Sequence, residues 1–282
     1  MRCGHRGEQV PYYGRRGTQT HFAFSDAVCE LEGGAGCALY PSGAAAISGA
    51  LLAFLKTGDH LLMVDAAYEP TRALCDKVLK PLGIETTYYD PLIGAGIAAL
   101  VKPNTRVIYL ESPCSLTMEV QDVPAICAVA QAHNIVTILD NTWASPILCQ
   151  PFALGVDISI QAATKYICGH SDVMLGTASA NAKHWPQLRE HSYLLGYCAS
   201  ADDVYLAARG LRTLGVRLAQ HQRNTLQSDR MAGTTAGNRD YPASGVAAAS
   251  WSCFVSAGFF RQQRSVFFCA ETRRFGRSHG LC

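Results

Sequence analysis

The sequence predicts an α/β domain built on a mostly parallel sheet with helices on both faces. Short apolar runs recur along the first two-thirds of the chain, and amphipathic helical stretches lie between several of them. Alternation of this kind is how parallel strands are joined. The clearest run, Ile135–Asp140, is continuous and β-branched, as in a strand covered on both faces.

In chain order, Ser42 and Gly43 open a helical run through Leu55, which Thr57-Gly58-Asp59 closes. Strands are expected at Leu61–Asp65, Thr86–Tyr89, Arg106–Glu111, Ile135–Asp140 and Asp157–Gln161. Val173–Ala180 reads as a further strand. Helices are expected over Glu69–Leu82, Val123–His133 and Lys183–Tyr197. A longer one starts at Asp202, with Val204, Ala208, Leu211, Leu214 and Leu218 at spacings of three and four.

Lys165 stands out by its context. It follows the strand-like run Asp157–Gln161 and precedes a Gly169-His170-Ser171 turn. Partial desolvation favours the neutral amine, which attacks carbonyl groups. A solvated loop lysine would look the same in this segment alone. Asp140 closes a buried strand, where open α/β sheets bind ligands. An acid there can pair with a protonated pyridine nitrogen; it can equally cap a helix or a turn. Ser42 is a plausible N-cap, and Gly43 and Ala44 leave room at a helix end whose free N–H groups attract phosphate.

Taken in order, these residues resemble a family. The segments are Tyr12–Thr18, Leu31-Glu32-Gly33-Gly34, Ser42–Ala45, Ala67-Tyr68-Glu69-Pro70, Glu111-Ser112-Pro113, Asp140–Trp143, Thr164-Lys165-Tyr166, Gly169–Asp172 and Arg209–Leu214. The chain is similar to the pyridoxal 5'-phosphate (PLP) dependent enzymes of cysteine and methionine metabolism, the trans-sulfuration group. Within it, the cystathionine β-lyase branch of bacterial type is nearest. Ala162 and Trp143 stand where many other members have serine and phenylalanine, which favours that branch.

The resemblance implies an aspartate-aminotransferase-like large domain (PLP-dependent fold type I). It implies that Lys165 holds PLP and moves the substrate α-proton. Asp140 pairs with the pyridine nitrogen, Tyr68 stacks on the ring, and Gly43, Ala44 and Thr164 contact the phosphate. Arg15 and Tyr13 act across a subunit interface, at the phosphate and near the reacting carbon. From the residues alone, Arg15-Arg16 is a basic turn and Tyr68 a half-buried aromatic. The implied reaction is α,β-elimination of L-cystathionine, or a related thioether amino acid, to homocysteine, pyruvate and ammonia. A cytoplasmic homodimer or homotetramer in methionine biosynthesis is implied too. The runner-up reactions are those of the γ-lyases and γ-synthases.

Composition fits an enzyme. The chain has 282 residues, 49% hydrophobic, and a formal net charge of +2, which gives no reason to expect nucleic acid or an anionic membrane as partner. No apolar run approaches the length of a bilayer span, and the start has no signal-peptide core. Twelve cysteines are scattered without metal-ligand spacing, and read as buried reduced thiols.

Three segments are expected: a shortened N-terminal stretch (1–18), the PLP-binding large domain (19–225) and an atypical tail (226–282). Beyond Leu226 there is no lysine or isoleucine, and periodicity is lost. The tail is expected to be disordered or translated out of frame, in place of the family's small C-terminal domain with its substrate-carboxylate arginine. A non-catalytic PLP-binding remnant therefore stands beside an active lyase. A protein that binds an acidic partner through the tail is a third reading.

Overall fold

A computed structural model describes residues 13–115 and 117–234. Seven strands form one sheet: β1 Gly36–Tyr40, β2 His60–Val64, β3 Glu85–Tyr89, β4 Thr105–Glu111, β5 Val136–Asp140, β6 Ile158–Gln161 and β7 Gly176–Ala180. Their order is β1-β7-β6-β5-β4-β2-β3. All pairings are parallel except those of β7, which runs antiparallel to β1 and β6. The helices are α1 Gln19–Glu32, α2 Gly43–Phe54, α3 Glu69–Leu74, α4 Val123–Ala132, α5 Ser145–Leu148, α6 Trp185–Leu194, α7 Ala201–Leu211 and α8 Leu214–Thr234.

Both faces of the sheet are covered. Along β1, Ala38 and Tyr40 belong to one apolar cluster with α2 and β2–β6 residues. Cys37 belongs to a second, with Phe24 and Val28 of α1, Val204 of α7 and Leu214 and Leu218 of α8. Successive strand residues point to opposite faces, so the two clusters lie on the two sides of the sheet.

The helix starts follow their caps. Ser42 Oγ accepts from the Ala45 N–H at 3.1 Å, and Asp122 Oδ1 from the Ala125 N–H at 3.2 Å. Each satisfies a backbone donor that the first turn leaves free.

Four elements differ from the sequence expectation. Strand β1, short and rich in small residues, was not anticipated. The Glu69–Leu82 helix is α-helical only to Leu74 and continues as a wider π-helix over Cys75–Leu79. Strand β7 starts at Gly176, because Leu175 is bonded to Thr164 instead: its carbonyl accepts from Thr164 N and its N–H donates to Thr164 Oγ1. The long helix from Asp202 is two helices, α7 and α8. Thr213 Oγ1 donates back to the Gly210 carbonyl at 3.1 Å, and the corner forms there.

Position 226, where the composition changes, lies inside α8, which continues to Thr234. The remainder of the expected tail, and residues 1–12 of the expected N-terminal segment, lie outside the described residues. Cys37, Cys75, Cys114, Cys127, Cys149, Cys168 and Cys198 are free thiols. Cys29 departs from expectation, being disulfide-bonded.

Candidate functional site

Strands β4 and β5 run parallel and in register, so Glu111 and Asp140 sit side by side at their carboxyl ends. Asp140 is 8% exposed. Its Oδ1 accepts from the Thr142 N–H at 3.0 Å, and the Tyr109 hydroxyl donates to Oδ2 at 3.4 Å. Burial raises its proton affinity, while the bonds from Thr142 and the charge of Lys165 favour the carboxylate. That charge reaches Asp140 because Lys165 begins just past the end of the neighbouring strand, β6.

Glu111 is pushed up to about 7, first by burial and then by the charge of Asp140. Two carboxylates this close resist ionising together. Glu111 Oε2 accepts from the Tyr68 N–H at 2.9 Å, and its Oε1 accepts from Ser115. The first bond fixes the turn that presents Tyr68, a 41% exposed ring. The Lys165 ammonium stands 5.4 Å from the centroid of that ring.

The capped end of α2 abuts the same place. A Cβ built on Gly43 would lie 2.7 Å from Ala162 Cβ, so only glycine lets the helix start approach the strand β6 exit this closely. Ala162 N in turn donates to Thr142 Oγ1 at 2.8 Å. The serine-to-alanine departure at 162 and the Gly43 contact therefore meet in one place. Thr164 Oγ1 is engaged with Leu175, accepting from its N–H at 2.9 Å and donating to its carbonyl at 3.2 Å. A cleft of about 640 Å³ opens beside it, lined by Lys165, Tyr166, Asp172, Met174, Arg217 and His221 among others.

Of the sequence-predicted residues, the structure gathers Lys165, Asp140 and Tyr68, with Gly43 and Ala44 at the start of α2 and Thr164 next to the lysine. Arg15 and Tyr13 are elsewhere. Arg15 Nη1 donates to the Tyr193 carbonyl at 2.9 Å, on α6, and Tyr13 is exposed beside it. Sequence reasoning assigned no role to Glu111, Tyr109, Thr142 or Arg217. Glu111 had a signal: two successive buried strands each end in an acid.

The set is chemically suited to PLP. A buried acid, an aromatic face and an amine converge, and a helix start offers free N–H groups to a phosphate. Among the described residues no group of three or more His, Cys, Asp or Glu could hold a metal ion. No described helix is long and apolar enough to cross a membrane.

Comparison with known proteins agrees with this geometry. Residues 3–230 match the family described as Cys/Met metabolism PLP-dependent enzyme. The chain is 57% identical to cystathionine beta-lyase of Haemophilus influenzae over 218 residues, which are 77% of this chain and 55% of that protein. It is 54% identical to cystathionine beta-lyase MetC of Escherichia coli, with the same coverage. The crystal structure of metB from Corynebacterium glutamicum superposes with a TM-score of 0.77 at 33% identity, over 84% of this chain and 64% of that one. The chain thus spans about 55% of the length of the curated relatives it matches.

Proposed function

This chain belongs to the Cys/Met metabolism PLP-dependent enzyme family, and we propose that it carries the cofactor half of a carbon–sulfur lyase acting on L-cystathionine or a related thioether amino acid. The reaction is α,β-elimination, giving homocysteine, pyruvate and ammonia. The observation that carries the reading is the convergence of the Lys165 amine, the Tyr68 ring and the buried Asp140 carboxylate.

Bound PLP supplies an electron sink for the carbanion formed at the substrate's α-carbon. The protein residues do the rest. Lys165 is the residue that would hold the cofactor, and its free amine would be the base for the substrate α-proton. Asp140, whose carboxylate the Thr142 bonds and the Lys165 charge favour against the opposing effect of burial, would pair with the protonated ring nitrogen. Tyr68 would stack on the cofactor ring, and Glu111 fixes Tyr68 by accepting from its backbone N–H. The start of α2, with Gly43 and Ala44, and Thr164 would hold the phosphate. Tyr13 and Arg15 lie apart from Lys165 within one chain, which supports their service to a second subunit of a cytoplasmic homodimer or homotetramer.

The test is the visible spectrum of the purified chain with added PLP, beside Lys165→Ala, followed by L-cystathionine. A cofactor band that depends on Lys165, with pyruvate release, is the expected result. The band without any keto acid would mark a cofactor-binding protein without lyase activity. Release of 2-oxobutyrate in place of pyruvate would assign γ-elimination.

A further inference from the structure

Arg217 lies outside the segments that carry the family resemblance, yet its side chain is heavily engaged beneath Lys165. Nη1 donates to the Tyr166 carbonyl at 2.6 Å. Nη2 donates to the carbonyls of Ile167 at 3.2 Å and Gly210 at 2.8 Å. Nε donates to Thr213 Oγ1 at 3.0 Å.

The acceptors explain the arrangement. Residues 162–169 make a short helical turn, closed by Lys165 N to Ala162 O, Cys168 N to Ala163 O and Gly169 N to Lys165 O. The last carbonyls of such a turn have no partner within it. A guanidinium, with its fixed fork of donors, can bind several at once. Gly169 makes the approach feasible. Its φ is +81°, and a Cβ there would collide with the Arg217 guanidinium. The chain thus reverses where the arginine needs space.

We propose that Arg217 is the positioning residue for Lys165: it caps the turn that carries the amine and locks that turn to the corner between α7 and α8. The inference rests on the cofactor role proposed for Lys165. Without the cap, Tyr166 and Ile167 lose charged donors, the turn loosens, and the amine no longer holds its place over Tyr68. An error of about 1 Å in such a group costs about 10²-fold in rate.

The experiment compares wild type, Arg217→Ala, Arg217→Lys and Leu188→Ala. Leu188 is buried in the other apolar cluster and serves as a control for general destabilisation. Two quantities are read. The first is amide hydrogen exchange of the peptide covering 166–170, without cofactor. The second is PLP affinity, from borohydride-trapped label on Lys165 located by peptide mass spectrometry. Arg217→Ala should speed exchange and weaken affinity, each by about tenfold or more. Arg217→Lys should restore part of both, since an ammonium keeps charge and three donors. Leu188→Ala should lower the melting temperature and change neither. Wild-type values in Arg217→Ala, or equal losses in Leu188→Ala, would overturn the proposal. Exchange needs no cofactor, so it decides the positioning claim separately. A wild type that takes no label at Lys165 would instead defeat the functional reading.

Discussion

At the amino ends of the strands, Asp157 is held by three donors: Thr137 N at 3.0 Å, Thr137 Oγ1 at 3.1 Å and Asn181 Nδ2 at 2.8 Å. Asp59 there accepts from Lys56 N at 2.9 Å. At the carboxyl ends, Asp140 and Glu111 are buried side by side, and burial raises the proton affinity of both. The same residue types, one strand length apart, serve opposite purposes. Acids at one end accept bonds from backbone and side-chain donors, which ties the loops down. Acids at the other keep charge in reserve beside an amine, at a cost in stability. Perturbed groups of that kind mark functional sites.

The largest expected effects test the carboxyl end. Asp140→Asn removes the charge but keeps the shape. In the proposed lyase reaction, pyruvate formation from L-cystathionine should fall by about 10³-fold. The melting temperature should stay level or rise, because a buried charge has gone. If Asp140→Asn unfolded the chain instead, the contrast between the two ends would collapse.

The next effect tests the amino end. Asp157→Ala leaves Thr137 N–H and Asn181 without their acceptor. It should cost about 3 kcal/mol in a denaturant titration, while label on Lys165 remains available below the transition. A variant of unchanged stability would show that these donors find other partners.

Glu111→Gln sharpens the contrast through pH. The native value is about 7 against an ordinary 4.5, so the fold favours the protonated form. That contribution to stability is complete below about pH 4.5 and is lost as pH rises through about 7. Glutamine is neutral at every pH and still accepts from Tyr68 N–H. The variant should match wild type near pH 4.5 and exceed it by about 1–3 kcal/mol at pH 8. Parallel stability curves for the two proteins would refute the shared-charge account.

What the sequence disclosed follows the same division. Lys165, Asp140 and the Ser42 cap were legible because each sits at a boundary between an apolar run and a turn. Strands β2 and β4–β6 were legible because they are buried on both faces, and the edge strand β3 because threonine and tyrosine favour strands. β1 escaped notice, since Gly36 and Ala38 give it little strand character. Arg217 escaped because three of its four acceptors are backbone carbonyls, and no residue type announces a carbonyl acceptor. The break between α7 and α8 escaped for a related reason. The apolar spacing runs on past Gly210, while the Thr213–Gly210 bonds and contacts with the Lys165 turn form the corner.

The smallest expected effect lies at the amino end again, at His60. Its ring is buried between the hydroxyls of Thr105 and Thr87, each at 2.8 Å. Burial lowers its proton affinity, the charge of Lys102 lowers it further, and Glu85 opposes both. The folded state therefore favours the neutral ring. Its stabilising contribution is present above the ordinary value of 6.5 and is lost as pH falls below it. Between pH 8 and pH 5 wild type should lose stability from this group. His60→Gln keeps an acceptor and a donor for the two threonines and has nothing to titrate. Its denaturation curves should lack that part of the acid loss, with PLP uptake at Lys165 unaltered at pH 8. A cofactor defect in His60→Gln would mean that the amino end reaches the site after all, and that the two ends are not separable.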